Sequence, residues 1–337
     1  MRHGETGAHA LRDSVELAKA TEAMGYARFW VAEHHSAGTF AGTSPEILIG
    51  QILANTSRIR VGSGGVMLTH YSALKVAEQF RVLESFYPGR VDLGIGRAPG
   101  SDQRTMLALA YPKRPVDVET FPQQVVDVVG YLYDALQPDH PFASLKAAPG
   151  PKPETAPDIW LLGSSDYSAR LAAHVGLPFA FADFFGTTSG HGPAVAELYR
   201  REFKPSALCE EPHLNVTVQV ICAPSEEEVA RVSASRNFNR ARRVLAAQGE
   251  EVREGLLPPE EASERPLTEA ARAHVQAYLN GCIDGDPDQV KAGILAASER
   301  YETTDVGIVS IAYSLADRIR SYELVARAFG LIRGTAA

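Results

Sequence analysis

A repeating unit within residues 26–105 constrains the fold of this chain more than any other feature of the sequence. Three short apolar runs each end in small or chemically capable residues, and each is followed by a helical pattern. The runs occupy residues 28–35, 59–68 and 90–97. Near their ends lie His34, Gly64 and Gly94, each 30 residues from the next. That spacing is about one βα unit with a right-handed crossover. The carboxyl ends of these strands therefore meet on one face, where chemistry occurs on such folds.

The alternation of strands and helices continues to the end of the chain. Further strands are predicted at 158–162, 178–182, 213–222 and 305–312. Helices are predicted at 7–25, 44–56, 72–86, 119–135, 163–174, 287–300 and 315–330. All seven strands are apolar enough to be buried on both faces, as parallel strands must be. The pattern predicts an α/β fold one strand short of a (β/α)8 barrel. Because the chain opens with a helix, the absent strand would be the first.

The whole chain, residues 1–337, is interpreted as one domain, because α/β barrels often reach this length as a single unit. Residues 225–280 are helical, highly charged and too long for a simple crossover, so they form an excursion from the barrel. A solvated helical surface is the default interpretation of this excursion, and a lid over the mouth of the barrel is the alternative. A Pro-rich connector at 138–157 is predicted to be a long loop that helps to wall the site.

Composition excludes several classes of function. The formal net charge of −8 argues against nucleic-acid binding, which needs a basic footprint. No apolar run approaches the roughly 18–20 residues of a membrane span. Cys209, Cys222 and Cys282 are far apart and odd in number, so neither a disulfide framework nor a zinc site is indicated. A reducing, cytoplasmic setting fits these features best.

The first strand ends in the sequence Glu33-His34-His35. Adjacent strand side chains point to opposite faces, so the two histidines are not expected to chelate one metal ion. Imidazole suits proton transfer near neutral pH. We favour that role for His34, with a buried, hydrogen-bonded histidine as the alternative, and a structural role for His35.

Three further strand ends carry candidate site residues. Gly64-Gly65 would destabilise a strand unless the backbone requires glycine there, and a bulge or tight helix packing is the alternative explanation. Residues 163–168 end a strand and open a helix, so their N–H groups and hydroxyls suit a phosphate. An ordinary helix N-cap would explain the same residues. Arg97, at another strand end, could add a charge-assisted fork to the same phosphate.

These motifs in combination resemble the bacterial luciferase-like, flavin-dependent monooxygenase family, in its single-polypeptide branch. The resemblance extends from residue 5 to about residue 330. Its motifs lie at 30–35, 61–68, 77–80, 87–90, 94–97, 163–168 and 285–288. The resemblance implies a TIM-type (β/α)8 barrel, here lacking its first β-strand, that binds FMN in its reduced form. It also implies oxygen activation through a flavin C4a-hydroperoxide.

The resemblance assigns roles to particular residues. His34 occupies the position that acts as acid or base near the flavin ring. A non-proline cis peptide is implied between Gly64 and Gly65, under the isoalloxazine. The implied cofactor-binding residues are Gly64, Gly65, Val66, Arg97, Ser164, Ser165 and Ser168, of which Arg97 and the three serines surround the phosphate.

The N-terminus departs from the family pattern, because relatives carry a strand before the helix that here begins near residue 7. Residues 1–6 have no strand character. Losing a strand removes about three to five buried apolar side chains at roughly 1.5–3 kcal/mol each. It would also leave unpaired edges at 28–33 and 306–312. We therefore expect the natural start to lie upstream of Met1.

The resulting prediction is a reduced-flavin-dependent monooxygenase that uses O2 on an unidentified small organic substrate. Gly94 and Gly96 do not complete a dinucleotide-binding fingerprint, so a separate NAD(P)H:flavin reductase is expected to supply the reduced flavin. The resemblance suggests a homodimer. An F420-dependent dehydrogenase or reductase on the same fold is the first alternative, and a non-catalytic flavin-binding barrel is the second.

Overall fold

The computed structural model describes residues 1–97, 102–113, 115, 117–149, 156–250 and 254–332. Part of the predicted Pro-rich connector at 138–157 therefore lies outside the described residues.

The strands of the described residues form one sheet, and all the pairings are parallel. They are β1 Arg28–Val31, β2 Arg60–Ser63, β3 Val66–Met67, β4 Val91–Gly96, β5 Asp158–Gly163, β6 Phe179–Asp183, β7 Leu214–Cys222, β8 Cys282–Gly285 and β9 Asp305–Val309. Their order is β1-β2-β4-β5-β6-β7-β8, with β3 also on β4 and β9 also on β7. The sheet forms a half-barrel, so the predicted parallel α/β fold is confirmed.

Helices cover the outside of the sheet. They are α1 Gly7–Met24, α2 Pro45–Ala54, α3 Ala73–Phe86, α4 Gln103–Ala110, α5 Phe121–Leu132, α6 Asp166–Val175, α7 Gly192–Glu202, α8 Glu226–Ala247, α9 Pro259–Glu264, α10 Glu269–Leu279, α11 Pro287–Tyr301 and α12 Leu315–Ala328. The sequence indicates where some of these helices begin or end. Gly25 caps α1 in the left-handed conformation, and Pro45 begins α2 directly after Ser44.

Three elements were not predicted from the sequence. The segment that forms β8 runs into an Asp-, Gly- and Pro-rich pattern typical of a turn, but its four residues pair with the end of β7, from Gln219 to Cys222. Such a short segment, ending in Asp284 and Gly285, has no recognisable strand pattern, and its pairing comes from the neighbouring strand. The polar stretch after Arg97 contains α4, which has no buried residue. The third is α7, which follows a Gly-rich loop that hid its start.

The sheet is open on one side. Among the described residues, β1 pairs only with β2, and β9 pairs only with β7, so the expected unpaired edges are present. The outer layer of helices nevertheless continues across the opening, where α1 packs against α12. The cluster between these helices contains Leu17, Met24, Tyr322 and Ala326, with Phe29 of β1 and Ile308 of β9 against it. The helices thus shield an opening that the sheet leaves.

One tyrosine occupies the free edge of β9. The Tyr322 hydroxyl lies 3.3 Å from both Ile308 O and Ser310 N, so it can donate to the first and accept from the second. Tyr26 donates from its own hydroxyl to Tyr322 O at 2.8 Å. A side chain therefore satisfies part of the exposed strand edge, which is one way in which proteins protect such edges.

The charged excursion has a small apolar core of its own. Its members are Phe238, Ala241, Leu245, Leu257, Ala262, Ala271 and Val275. Buried Arg236 of α8 attaches the excursion to the barrel by an ion pair with Asp284 of β8. The Asp- and Gly-rich pattern of residues 284–288 is typical of a turn and a helix cap, but Asp284 lies in β8 and forms this ion pair. Asp286 does cap α11, in a capping box with Gln289.

Among the described residues, no helix combines the length and the apolar character that a membrane span requires.

Candidate functional site

The two histidines lie in the loop after β1, not on the strand itself. β1 ends at Val31, and the His34 N–H donates to Gly42 O at 2.8 Å. The argument that strand alternation separates the two histidines therefore does not apply. The His34 ring stacks on Phe40 with the ring centroids 4.6 Å apart. In the part of the chain that the structure describes, no group of three or more potential ligands could hold a metal ion.

Glu33 has the most constrained side chain of this loop. It is fully buried, and its carboxylate accepts three hydrogen bonds from three segments. Oε1 binds His35 Nε2 and the Tyr71 hydroxyl, each at 2.7 Å, and Oε2 accepts from Met67 N at 2.9 Å. The carboxylate therefore joins the end of β1 to β3 and to the turn that follows it. The sequence placed Glu33 in a motif but gave it no role.

Tyr71 remains a hydrogen-bond donor over the ordinary pH range. Burial raises the pKa of the Tyr71 phenol well above its usual value, and the hydrogen bond to Glu33 raises it further. Next to Tyr71, the His70 ring meets the His35 ring edge to face, with centroids 5.9 Å apart. Through these contacts His70 and Tyr71 adjoin Glu33 and His35, and we call Glu33, His35, Met67 and Tyr71 the Glu33 cluster.

The peptide bond between Gly64 and Gly65 is cis, as the resemblance implied. Close packing explains why both residues are glycine. A Cβ on Gly64 would lie 3.2 Å from Trp30 Cβ, and one on Gly65 would lie 2.8 Å from Gly94 O. These contacts come from β1 and β4 and not from a helix, so close packing of strands, rather than tight helix packing, accompanies the cis bond. Val66, the residue that follows this peptide, is buried.

The turn between β5 and α6 is the segment that the sequence predicted to bind a phosphate. A Cβ on Gly163 would lie 2.4 Å from Ser168 Oγ, which requires glycine where the strand ends. Ser165 is the N-cap of α6 but makes no capping hydrogen bond with its side chain. Within the described ranges, no hydrogen bond engages the hydroxyl of Ser164, Ser165 or Ser168. The first turn of this ten-residue helix therefore offers hydroxyls and a partial positive charge to an anion.

Arg97 lies beside the first turn of α6. Its guanidinium carbon lies 4.1 Å from the centroid of the Tyr167 ring, so the end of β4 contacts the first turn of α6. No carboxylate of the described residues is within ion-pair distance of Arg97. The structure thus brings Arg97 next to residues 163–168, which we call the serine turn. Arg97 and the serine turn are some 70 residues apart in the sequence.

One residue of the turn opposes anion binding. Asp166, the first residue of α6, carries a negative charge, and its Oδ1 accepts from Tyr167 N at 2.9 Å. It therefore uses one of the free N–H groups and adds repulsion. A phosphate group fits the remaining donors, and Asp166 is expected to weaken its binding.

The sequence gave no indication of a fourth group at this turn. His191, from the loop after β6, lies with Nε2 3.0 Å from Ser164 O. The loop is fixed by buried Asp183, which accepts from Thr188 at 2.9 Å and from Tyr301 at 2.8 Å. A single histidine in a Gly-rich loop has no recognisable pattern, and its position depends on these long-range contacts.

The chain is similar to known proteins over most of its length. The model of the luciferase-like monooxygenase family matches residues 1–304. The Bacillus subtilis protein YwcH is 44% identical over 327 residues, which cover 97% of this chain and 95% of YwcH. A luciferase-like monooxygenase of Escherichia coli is 38% identical over 95% of this chain and 92% of its own length. The N-acetyl-S-alkylcysteine monooxygenase of B. subtilis is 36% identical over 96% of this chain and 94% of its own length.

Solved structures have the same fold. Apo-MsnO8 superposes with a TM-score of 0.85 at 37% identity, covering 98% of this chain and 96% of its own. The FMN-bound oxygenating constituent of 3,6-diketocamphane monooxygenase from Pseudomonas putida gives 0.69 at 18% identity over 97% and 95%. An F420-dependent secondary alcohol dehydrogenase gives 0.64 at 17% identity over 94% of both chains. The last two similarities show the fold alone.

Proposed function

Because this chain belongs to the luciferase-like monooxygenase family, we propose that it is a monooxygenase that uses reduced FMN and O2 to oxidise a small organic substrate. The observation that carries the proposal is the contact of Arg97 with the first turn of α6, beside three serine hydroxyls. This anion site shares the carboxyl face of the sheet with the Glu33 cluster and the Gly64–Gly65 peptide. Phosphate and ring sites on one face suit a flavin nucleotide.

In the proposed complex, Ser164, Ser165, Ser168 and Arg97 hold the phosphate. The backbone of Gly64, Gly65 and Val66 forms the floor beneath the ring. When bound, reduced FMN supplies the electrons that activate O2, and the protein orients the ring and excludes water. Charge-assisted bonds from Arg97 contribute more to phosphate binding than the neutral serine donors do.

His34 is the proposed acid–base residue. Its backbone is held by Gly42, and its ring is held against Phe40, so the imidazole has a defined position on the face that carries the cofactor site. An imidazole there can take up or release a proton near neutral pH.

The proposed partners follow from this chemistry. A separate NAD(P)H:flavin reductase supplies the reduced cofactor, and the single barrel domain with its helical excursion acts in the cytoplasm.

We also propose a homodimer. Exposed Ile47 of α2 and Phe86 of α3, 66% and 74% accessible, offer apolar surface to a second copy. The name of the N-acetyl-S-alkylcysteine relative makes thioethers the first substrate class to assay.

An F420-dependent dehydrogenase is the second candidate function. The similarity in fold to an F420-dependent alcohol dehydrogenase supports it, because the same barrel serves both cofactors. An equilibrium titration with each cofactor separates the two functions. Tight binding of FMN without measurable affinity for F420 supports the monooxygenase, and the reverse result replaces it.

Rapid mixing tests the proposed reaction. Protein loaded with reduced FMN is mixed with oxygenated buffer, while flavin absorbance and oxygen uptake are recorded. We expect reoxidation of the flavin to differ from that of free reduced FMN and to respond to the substrate. If the protein binds FMN but reoxidises it at the rate of the free flavin, with no product from any thioether, the protein is a non-catalytic flavin-binding barrel.

A further inference from the structure

The Glu33 cluster has a definite pattern of donors and acceptors. Glu33 has no exposed surface, and each of its three partners can donate a hydrogen bond. The Met67 N–H can only donate, at 2.9 Å to Oε2. The Tyr71 hydroxyl and His35 Nε2 both meet Oε1 at 2.7 Å. A carboxylate that accepts from all three partners satisfies every group when His35 carries its proton on Nε2.

This pattern determines the tautomer of His35. Because the Glu33 carboxylate can only accept, His35 carries its proton on Nε2 and leaves Nδ1 to take up a proton. Oxygen acceptors orient histidines in the same way at metal and nucleophile sites. Among the described residues, the charged and titratable groups that contact the His35 ring are Glu33 and His70, and Tyr71 reaches it through Glu33.

We propose that Glu33 is the positioning residue of this site: it holds His35 in the Nε2–H tautomer and connects that ring to β3 and Tyr71. The consequence for proton transfer rests on the proposed function. Through Met67 N, the same carboxylate fixes the two-residue strand that directly follows Gly65. The buried Glu33 carboxylate therefore fixes both the His35 imidazole and the backbone that is proposed to lie beneath the flavin ring.

The substitution Glu33→Gln tests this arrangement because it keeps the shape and changes one acceptor into a donor. If the amide oxygen faces Met67 N, the NH2 group faces His35 and Tyr71, and His35 must move its proton to Nδ1. If the amide is reversed, the NH2 group opposes the Met67 N–H in a buried site, which is unfavourable. We therefore expect His35 to change tautomer in this variant.

The experiment uses the full chain with ¹⁵N-labelled histidine and two-bond ¹H–¹⁵N correlation spectra, which distinguish the tautomers. His35→Gln assigns the signals. We expect Nε2–H in the wild type, Nδ1–H in Glu33→Gln, and an unchanged tautomer in Tyr71→Phe, the control, which removes another donor from the same oxygen. An Nδ1–H tautomer in the wild type overturns the proposal without any variant. An unchanged tautomer in Glu33→Gln also overturns it.

Turnover provides a second readout. Because His35 is the chain neighbour of His34, the proposed acid–base residue, a reoriented His35 ring should displace His34 and lower kcat of Glu33→Gln by about 10- to 100-fold, the range typical of residues that orient a catalytic group. The affinity for FMN should be retained, because the phosphate donors are elsewhere. Retained kcat together with a changed tautomer contradicts the catalytic part. If the wild type does not bind FMN, the proposed function fails, while the tautomer result still decides the positioning role.

Discussion

Arg28 and Asp305 meet across the open side of the sheet, with Arg28 Nη1 2.7 Å from Asp305 Oδ2. Arg28 begins β1 and Asp305 begins β9, the two strands that do not pair with each other. Asp305 also accepts from Asn215 at 2.9 Å, and Arg28 Nε lies 3.6 Å from buried Asp92. Side chains therefore join the two edges at the amino end of the barrel, opposite the candidate site.

Arg28→Met should destabilise the protein measurably. The change leaves Asp305 and Asp92 without a shared cation in a partly buried position. We expect the free energy of unfolding to fall by about 2 kcal/mol, between the values for exposed and buried ion pairs. Urea denaturation measures this. Arg320→Met, which breaks the exposed pair with Glu323, is the control and should have little effect. Equal effects of the two variants would contradict this account.

Low pH should weaken the ion pair between Arg28 and Asp305. Burial alone would raise the pKa of Asp305, but hydrogen bonds from His213 and Asn215 and the charge of Arg28 hold that pKa below its ordinary value. The stabilisation is therefore fully present above the unfolded-state pKa, about 3.9, and is lost as the pH falls through the lower folded-state value. Stability measured from pH 5 to pH 2 should fall less steeply in Asp305→Asn than in the wild type. Identical slopes would exclude this role for Asp305.

Gly65→Ala should disturb the site floor. Its Cβ would lie 2.8 Å from Gly94 O and 3.1 Å from Gly96 N, and these backbone atoms cannot move independently of β4. We expect a loss of about 1–3 kcal/mol, as for other overpacked positions, and weaker FMN binding. Gly190→Ala is the control, because a Cβ there has no heavy atom within 4 Å. Denaturation and FMN titration of both variants check the prediction, which fails if the two variants behave alike.

Asp166→Asn should strengthen FMN binding. The substitution removes a negative charge from the first turn of α6, where charge effects amount to about 0.3–1 kcal/mol. At low salt, the FMN affinity should rise about two- to fivefold. Riboflavin lacks the phosphate, so its affinity should not change. An equal increase for both ligands, or none for FMN, would count against a phosphate at this turn.

The sequence predicted the parts of the molecule that depend on local pattern. Long apolar runs such as the one containing β7 were recognisable, and so were the residues at their carboxyl ends. The four residues of β8 were not, because their pairing is supplied by the end of β7. The role of Glu33 was also hidden. Its partners Met67 and Tyr71 are 34 and 38 residues away in the sequence, and only the packing of β1 beside β2 and β3 brings them together.

The central claim is that Arg97 and the serine turn bind the phosphate of FMN, and titration of the wild type and Arg97→Met with FMN and with riboflavin tests it most directly. Flavin fluorescence reports binding of both ligands. We predict that the wild type prefers FMN to riboflavin. Arg97→Met should lose FMN affinity by about 10- to 150-fold, the range expected for a charged hydrogen bond of 1.5–3 kcal/mol, with riboflavin unaffected. Equal affinities for FMN and riboflavin in the wild type, or unchanged FMN binding in Arg97→Met, would contradict the account.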